Sequence, residues 1–166
     1  MAGLARQNIS SKLDHSNYMK TIRKNIRLKN YDYSQDGAYF ITICTDFRQP
    51  IINDNAKFLI ENELKDLENI FAGLQLDFYS IMPDHIHFIL IFHKMKKSLP
   101  EVIRTFKSKT TILIKRTGYR GKHLWQKNYY EHVVRDENAL QKIREYVLNN
   151  PLAEEIKWEN IYNHSM

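Results

Sequence analysis

The hydrophobic pattern is clearest in Asp84-His85-Ile86-His87-Phe88-Ile89-Leu90-Ile91-Phe92, directly after the turn signal Met82-Pro83. Side chains alternate faces along a strand. Ile86, Phe88, Leu90 and Phe92 therefore share one face, and His85, His87, Ile89 and Ile91 share the other. A strand apolar on both faces belongs in the middle of its sheet. Upstream, residues 38–45 (Ala-Tyr-Phe-Ile-Thr-Ile-Cys-Thr) are rich in aromatic and β-branched residues and predict the first strand. Ile60, Leu64, Leu67 and Phe71 recur at helical spacing after a cap at Asn53 or Asp54, with Gly73 as the stop. Residues 74–81 predict a second strand and 84–93 a third. Ser98-Leu99-Pro100-Glu101 reads as a capping box with proline in the first turn. The helix it opens buries Val102, Ile103, Phe106, Thr110, Leu113 and Ile114. Residues 129–134 predict a fourth strand, and Asp136 caps a last helix running from Glu137 to about Asn149.

The order is β-α-β-β-α-β plus one helix, which is the ferredoxin-like α+β pattern: an antiparallel sheet with two helices on one face. The other face is open, and His85 and His87 look out of it. The extra helix carries an apolar stripe of Leu140, Ile143 and Val147, suited to cover that face. Tyr146 and Asn150 lie four apart beside the stripe, so their side chains stack along one side. If the stripe packs there, a phenol and an amide oxygen arrive beside two imidazoles. Residues 1–36 form a basic arm, 37–151 a single domain and 152–166 a tail.

Charge changes the picture. The 166 residues carry a net +6, but unevenly. Residues 1–30 hold seven Lys/Arg against one acid, and 94–127 hold eleven against Glu101 alone, whereas 31–93 hold three against ten acids. So segregated a distribution points to a polyanionic partner, nucleic acid above all. Arg104, Lys107 and Lys109 lie off the apolar stripe of their helix, open to phosphates. Arg120, Lys122, Trp125, Gln126 and Lys127 sit in a basic loop, where Trp125 and Gln126 can meet a base or merely close the loop. The one cysteine, Cys44, lies in an apolar run and is expected buried and reduced. No run reaches the ~20 apolar residues of a membrane span, and residues 1–30 lack the apolar centre of a signal peptide. A cytoplasmic protein, nucleoid-associated when bound to DNA, is expected.

Two histidines at a strand's entrance suggest two legs of a metal site, with the Asn150 amide oxygen as a third. A divalent ion with open positions can hold a phosphodiester for in-line attack. A tyrosine oxygen can attack phosphorus and keep the broken strand attached. Tyr129 and Tyr130 rival Tyr146 as the nucleophile. No Gly-x4-Gly-Lys-Ser/Thr loop is present, as expected of a reaction that needs no ATP. A zinc hydrolase of small substrates would leave the basic charge idle and lacks a His-Glu-x-x-His motif.

At this point the residues resemble a family. Met82-Pro83-Asp84-His85-Ile86-His87 resembles the His-hydrophobic-His motif of the HUH endonucleases in its single-tyrosine transposase form. Leu124-Trp125-Gln126, Tyr130-Glu131-His132-Val133-Val134-Arg135 and Tyr146-Val147-Leu148-Asn149-Asn150-Pro151 are similar, in that order, to the signature of the REP-associated tyrosine transposases. The resemblance runs from about Arg23 to Leu152. It implies that His85, His87 and Asn150 hold Mg2+ or Mn2+ and that Tyr146 is the nucleophile; Asn150 stands where relatives carry Gln. It implies a substrate of single-stranded DNA beside a hairpin, cut through a 5′-phosphotyrosine; within that signature His132 suits packing or a phosphate contact, and Arg135 is a candidate DNA contact. It allows a monomer or a homodimer. The alternative of the same fold is a domesticated module that binds DNA hairpins without cutting.

Overall fold

The structure, a computed structural model, describes residues 28–149. It contains β1 (Gly37–Cys44), α1 (Asp54–Ile70), β2 (Leu74–Ile81), β3 (His85–Phe92), α2 (Leu99–Arg116), β4 (Tyr130–Val134) and α3 (Glu137–Asn149). The four strands form one antiparallel sheet in the order β2-β3-β1-β4. This is the ferredoxin-like α+β architecture the pattern predicts, with the fourth strand starting at Tyr130 rather than Tyr129.

Local signals set the element ends. The Asn53 side chain accepts the Ala56 N–H at the start of α1. Glu101 accepts both the backbone N–H and the hydroxyl of Ser98, closing the first turn of α2 and holding the Glu101 carboxyl down at about 2. Gly73 joins α1 to β2 at φ +90°, and a side chain there would run into the His93 carbonyl.

The alternation of β1 and β3 divides the interior in two. Tyr39, Ile41 and Ile43 join Ile86, Phe88, Leu90 and Phe92 in a core under α1 and α2. Ala38, Phe40 and Ile89 pack on the other face against Leu140, Ile143, Tyr146 and Val147 of α3. An isolated 13-residue helix is marginal in water. Burying Leu140, Ile143 and Val147 contributes about 1.5–3 kcal/mol each, which makes α3 part of the fold. A bulge between Leu76 and Tyr79 adds one residue to β2. It turns both Asp77 and Phe78 toward α3. Arg144 bonds Asp77 at 2.7 Å and sits over the Phe78 ring at 5.8 Å, so α3 is pinned to the sheet at a second point.

Two sequence expectations change. Leu113, expected in the α2 stripe, is only half buried. The segment 31–36, expected within the basic arm, packs on the domain instead. Tyr33 is in the core, its carbonyl accepts the Leu99 N–H, and the Tyr39 hydroxyl donates to the Gln35 carbonyl. Aromatic rings at 31, 33 and 39 contact one another in succession, the first pair edge to face and the second tilted, which the polar residues between them conceal. The arm up to residue 27 and the tail from 152 lie outside the described residues.

Candidate functional site

β3 brings the two histidines in at its first and third positions, beneath the C-terminal end of α3. Their rings lie edge to face with centroids 4.7 Å apart. The register places Cys44 opposite His85 and Thr42 opposite His87. The Thr42 hydroxyl is 2.8 Å from His87 Nδ1. His85 Nδ1 is 2.5 Å from Asp84 Oδ1. Burial would raise the Asp84 carboxyl, but the His85 contact and the Arg48 charge outweigh it and hold it below its usual range. An ionised carboxylate only accepts, so His85 Nδ1 carries the proton.

His87 is 3% exposed. Burial, helped by His85 and Arg48, pushes its imidazolium down to about 3, so the ring is neutral at ordinary pH. Metal-binding histidines commonly have one ring nitrogen fixed by a carboxylate or hydroxyl neighbour, the other being the ligating atom. Both rings here have Nδ1 placed in that way, which makes Nε2 the nitrogen to carry an ion. The donor chemistry therefore fits a divalent cation. Among the described residues, no group of three or more His, Cys, Asp and Glu side chains is placed to hold one. Two imidazoles need oxygen donors to complete a coordination shell, and Asn150, the expected third ligand, lies outside the described residues.

Tyr146 comes down onto the pair from the same chain. Its ring centroid is 5.5 Å from that of His87 and 6.2 Å from that of Phe40. Burial raises its phenol above the usual range and Arg48 partly opposes this. The rival phenols are placed differently. Tyr129 is buried in the core on the α1/α2 side. Tyr130 is half exposed on the histidine face, opposite Thr42 and so two strands from His87, about 10 Å away at the usual strand spacing.

The rim was only partly foreseen. Arg48, which the sequence analysis did not single out, reaches Asp84 Oδ2 with Nε at 3.0 Å. Its charge acts on His87 and Tyr146 alike. Thr42 was likewise missed; no spacing rule marks the residue that faces a histidine across a strand pair. Loop residues 124–126 hook onto the end of β1. Asp46 N–H donates to the Leu124 carbonyl, Gln126 N–H donates to the Cys44 carbonyl, and Trp125 bridges Thr45.

Of the residues expected at DNA, the structure separates two groups. Arg104, Arg120, Lys122, Lys127 and Arg135 are exposed. Trp125 is instead 6% exposed in the core, its indole N–H donating to Thr110 Oγ1, so its ring is not open to a base. Lys107 grips the carbonyls of Gln126 and Asn128 at 2.9 Å each, with Gln126 itself half buried. Lys109 pairs with Glu63 and Asp66 at 2.8 Å each. Their positions off the apolar stripe were legible; the partners waiting there were not. His132 is partly buried on the histidine face opposite Phe40, and burial, then Arg135, holds it below its usual value. A groove of about 350 Å3 runs between α2 and loop 122–127, with Lys107, Lys122, His123 and Lys127 in its walls. Among the described residues no helix is long and apolar enough to cross a membrane.

The fold is a transposase fold. A solved REP-associated tyrosine transposase bound to a REP hairpin superposes with a TM-score of 0.63 over 76% of this chain and 72% of that one, at 17% identity. A provisionally named transposase from Deinococcus radiodurans superposes at 0.53 over 74% of this chain and 97% of that one, at 20% identity. The chain belongs to the IS200-like transposase family, whose sequence model matches residues 33–150. An uncharacterised Haemophilus influenzae protein is 33% identical over 82% of this chain and 90% of its own length. A second H. influenzae protein, provisionally named a REP-associated tyrosine transposase, is 22% identical over 75% of this chain and 77% of its own.

Proposed function

We propose that this transposase is a metal-dependent single-stranded DNA endonuclease and strand transferase acting beside hairpins, with Tyr146 as its nucleophile. The observation that carries the reading is the Tyr146 ring lying 5.5 Å from the ring of His87. Support also comes from the Nδ1 contacts of both histidines and from the solved relative that holds a REP hairpin.

The Tyr146 oxygen attacks phosphorus, an O–P bond forms and the P–O3′ bond breaks. The product is a 5′-phosphotyrosine and a free 3′-hydroxyl, the phenol proton being transferred on balance to the departing O3′. The bond energy stays in the phosphotyrosine, so the reverse attack by a 3′-hydroxyl rejoins a strand without ATP. Mg2+ or Mn2+ held by His85, His87 and Asn150 would neutralise phosphate charge and orient the reacting groups. Asp84 keeps the His85 imidazole in the tautomer that presents Nε2, and Thr42 holds the His87 ring by its Nδ1. The exposed Arg104, Arg120, Lys122, Lys127 and Arg135, with His132 and Gln126 nearer the sheet, take the DNA backbone.

The test is incubation with single-stranded hairpin oligonucleotides from the gene's own flanks, with and without Mn2+, read on a denaturing gel. A covalent protein–DNA band that requires Mn2+ and disappears in Tyr146→Phe is the expected result. Hairpin affinity of the variant should stay within a few-fold of the parent. An adduct that persists in Tyr146→Phe would transfer the role to another tyrosine. Tight hairpin binding with no adduct would make the chain a binding module.

A further inference from the structure

Arg48 stands at the edge of the histidine pair on a turn held in an unusual shape. Phe47 and Arg48 are both left-handed, at φ +52°, a conformation non-glycine residues adopt rarely. The turn is stitched to the approach of β3, Thr45 N–H donating to the Asp84 carbonyl and Ile52 N–H to the Pro83 carbonyl, each at 2.9 Å.

A single carboxylate then sets both sides of the site. Asp84 Oδ1 takes His85 Nδ1, and Oδ2 takes Arg48 Nε at 3.0 Å. The Arg48 side chain is 55% exposed, and the terminal nitrogens of its guanidinium meet only poor acceptors. NH1 lies 3.4 Å from the Cys44 sulfur, and NH2 lies 3.4 Å from a His85 Nδ1 that already carries a hydrogen. A planar fork tied at its stem, with weak partners at its tips, is the geometry that grips a phosphate.

We propose that Arg48 is a catalytic residue of this transposase: held by Asp84, its guanidinium takes the non-bridging oxygens of the scissile phosphate and offsets the charge developing on them as the Tyr146 oxygen attacks. The proposal rests on the reading of Tyr146 and the histidines given above. The proton and bond changes are those of the strand-transfer step, and Arg48 stays protonated throughout.

Single-turnover adduct formation with Mn2+ on the hairpin oligonucleotide cut by the parent chain tests it. Arg48→Ala should slow the reaction about 100- to 1,000-fold, the cost of losing one group that stabilises transition-state charge. Mn2+ affinity and hairpin affinity should stay within a few-fold. Arg48→Lys, which keeps charge but not the fork, should recover part of the rate. A second measurement does not depend on cleavage. In the Tyr146→Phe background, replacing the scissile phosphate by a neutral methylphosphonate should weaken binding, and adding Arg48→Ala should reduce that penalty. Parent-like cleavage by Arg48→Ala, loss of Mn2+ binding in step with loss of rate, or an unchanged methylphosphonate penalty would each overturn the assignment. An adduct surviving in Tyr146→Phe would sink the tyrosine reading instead, and the methylphosphonate comparison would still judge Arg48.

Discussion

His87 should make the metal-free protein sensitive to mild acid. In the unfolded chain its imidazole takes a proton at about 6.5, whereas in the fold burial delays protonation to about 3. Between these values the unfolded state binds more protons, so stability rises with pH. The contribution is complete above about pH 6.5 and is lost as pH falls toward 3. Across that window the loss is about 1.4 kcal/mol per pH unit, which comes to about 2.7 kcal/mol between pH 7.5 and 4.5. Ordinary carboxylates take up protons mainly below about pH 4.5, so they contribute little there. His132, also held low by burial, adds in the same direction. The assay is urea unfolding in EDTA at a series of pH values, for the parent and for His87→Gln. Glutamine does not titrate, so the difference between the two curves isolates His87 whatever the substitution costs at neutral pH. Parallel curves would refute the argument, because they would mean that the ring takes up its proton without unfolding the site.

Thr42→Val keeps the shape of the side chain but removes the hydroxyl that meets the buried His87 Nδ1. It should cost about 1–3 kcal/mol in urea unfolding and weaken Mn2+ binding about 10- to 100-fold by calorimetry; parent-like Mn2+ affinity would remove Thr42 from the site. Arg144→Ala leaves Asp77 without its main partner in a pair whose side chains are 21% and 12% exposed. A fully buried pair would cost more, and with partial screening about 1–3 kcal/mol is expected. Amide exchange should speed up in α3 more than in β1 or β3, and uniform acceleration would mean that the pair does not serve α3 in particular.

Much of the architecture was legible because it rests on repeating patterns. The two-residue alternation in β3 separated the histidine face from the core, and the stripe Leu140, Ile143, Val147 correctly assigned α3 to that face. What escaped depends on contacts between distant segments. The β2 bulge adds one residue without disturbing the apolar count, so nothing in 74–81 announces that Asp77 and Phe78 both face Arg144. Arg48 is the single basic residue between β1 and α1, outside any basic run, and the backbone bonds from Thr45 to Asp84 and from Ile52 to Pro83 bring its turn to His85. By sequence alone Trp125 could meet a base or merely close its loop, and its pairing with Thr45 carries the ring inward. A lysine off the stripe is free of the core but not of its neighbours, as Lys107 and Lys109 show.

β1 is the common support of nearly every part named above. One of its faces floors the main core, the other carries Thr42 and Phe40, its far end anchors loop 124–126, and its free edge receives β4. Variation along it would be transmitted to all of these at once. The exposed positions of loop 117–123 and the outer edge of β4 hang from that spine without bearing on it. Diversification toward new DNA targets has room there, while the eight residues of β1 are the part such change must leave standing.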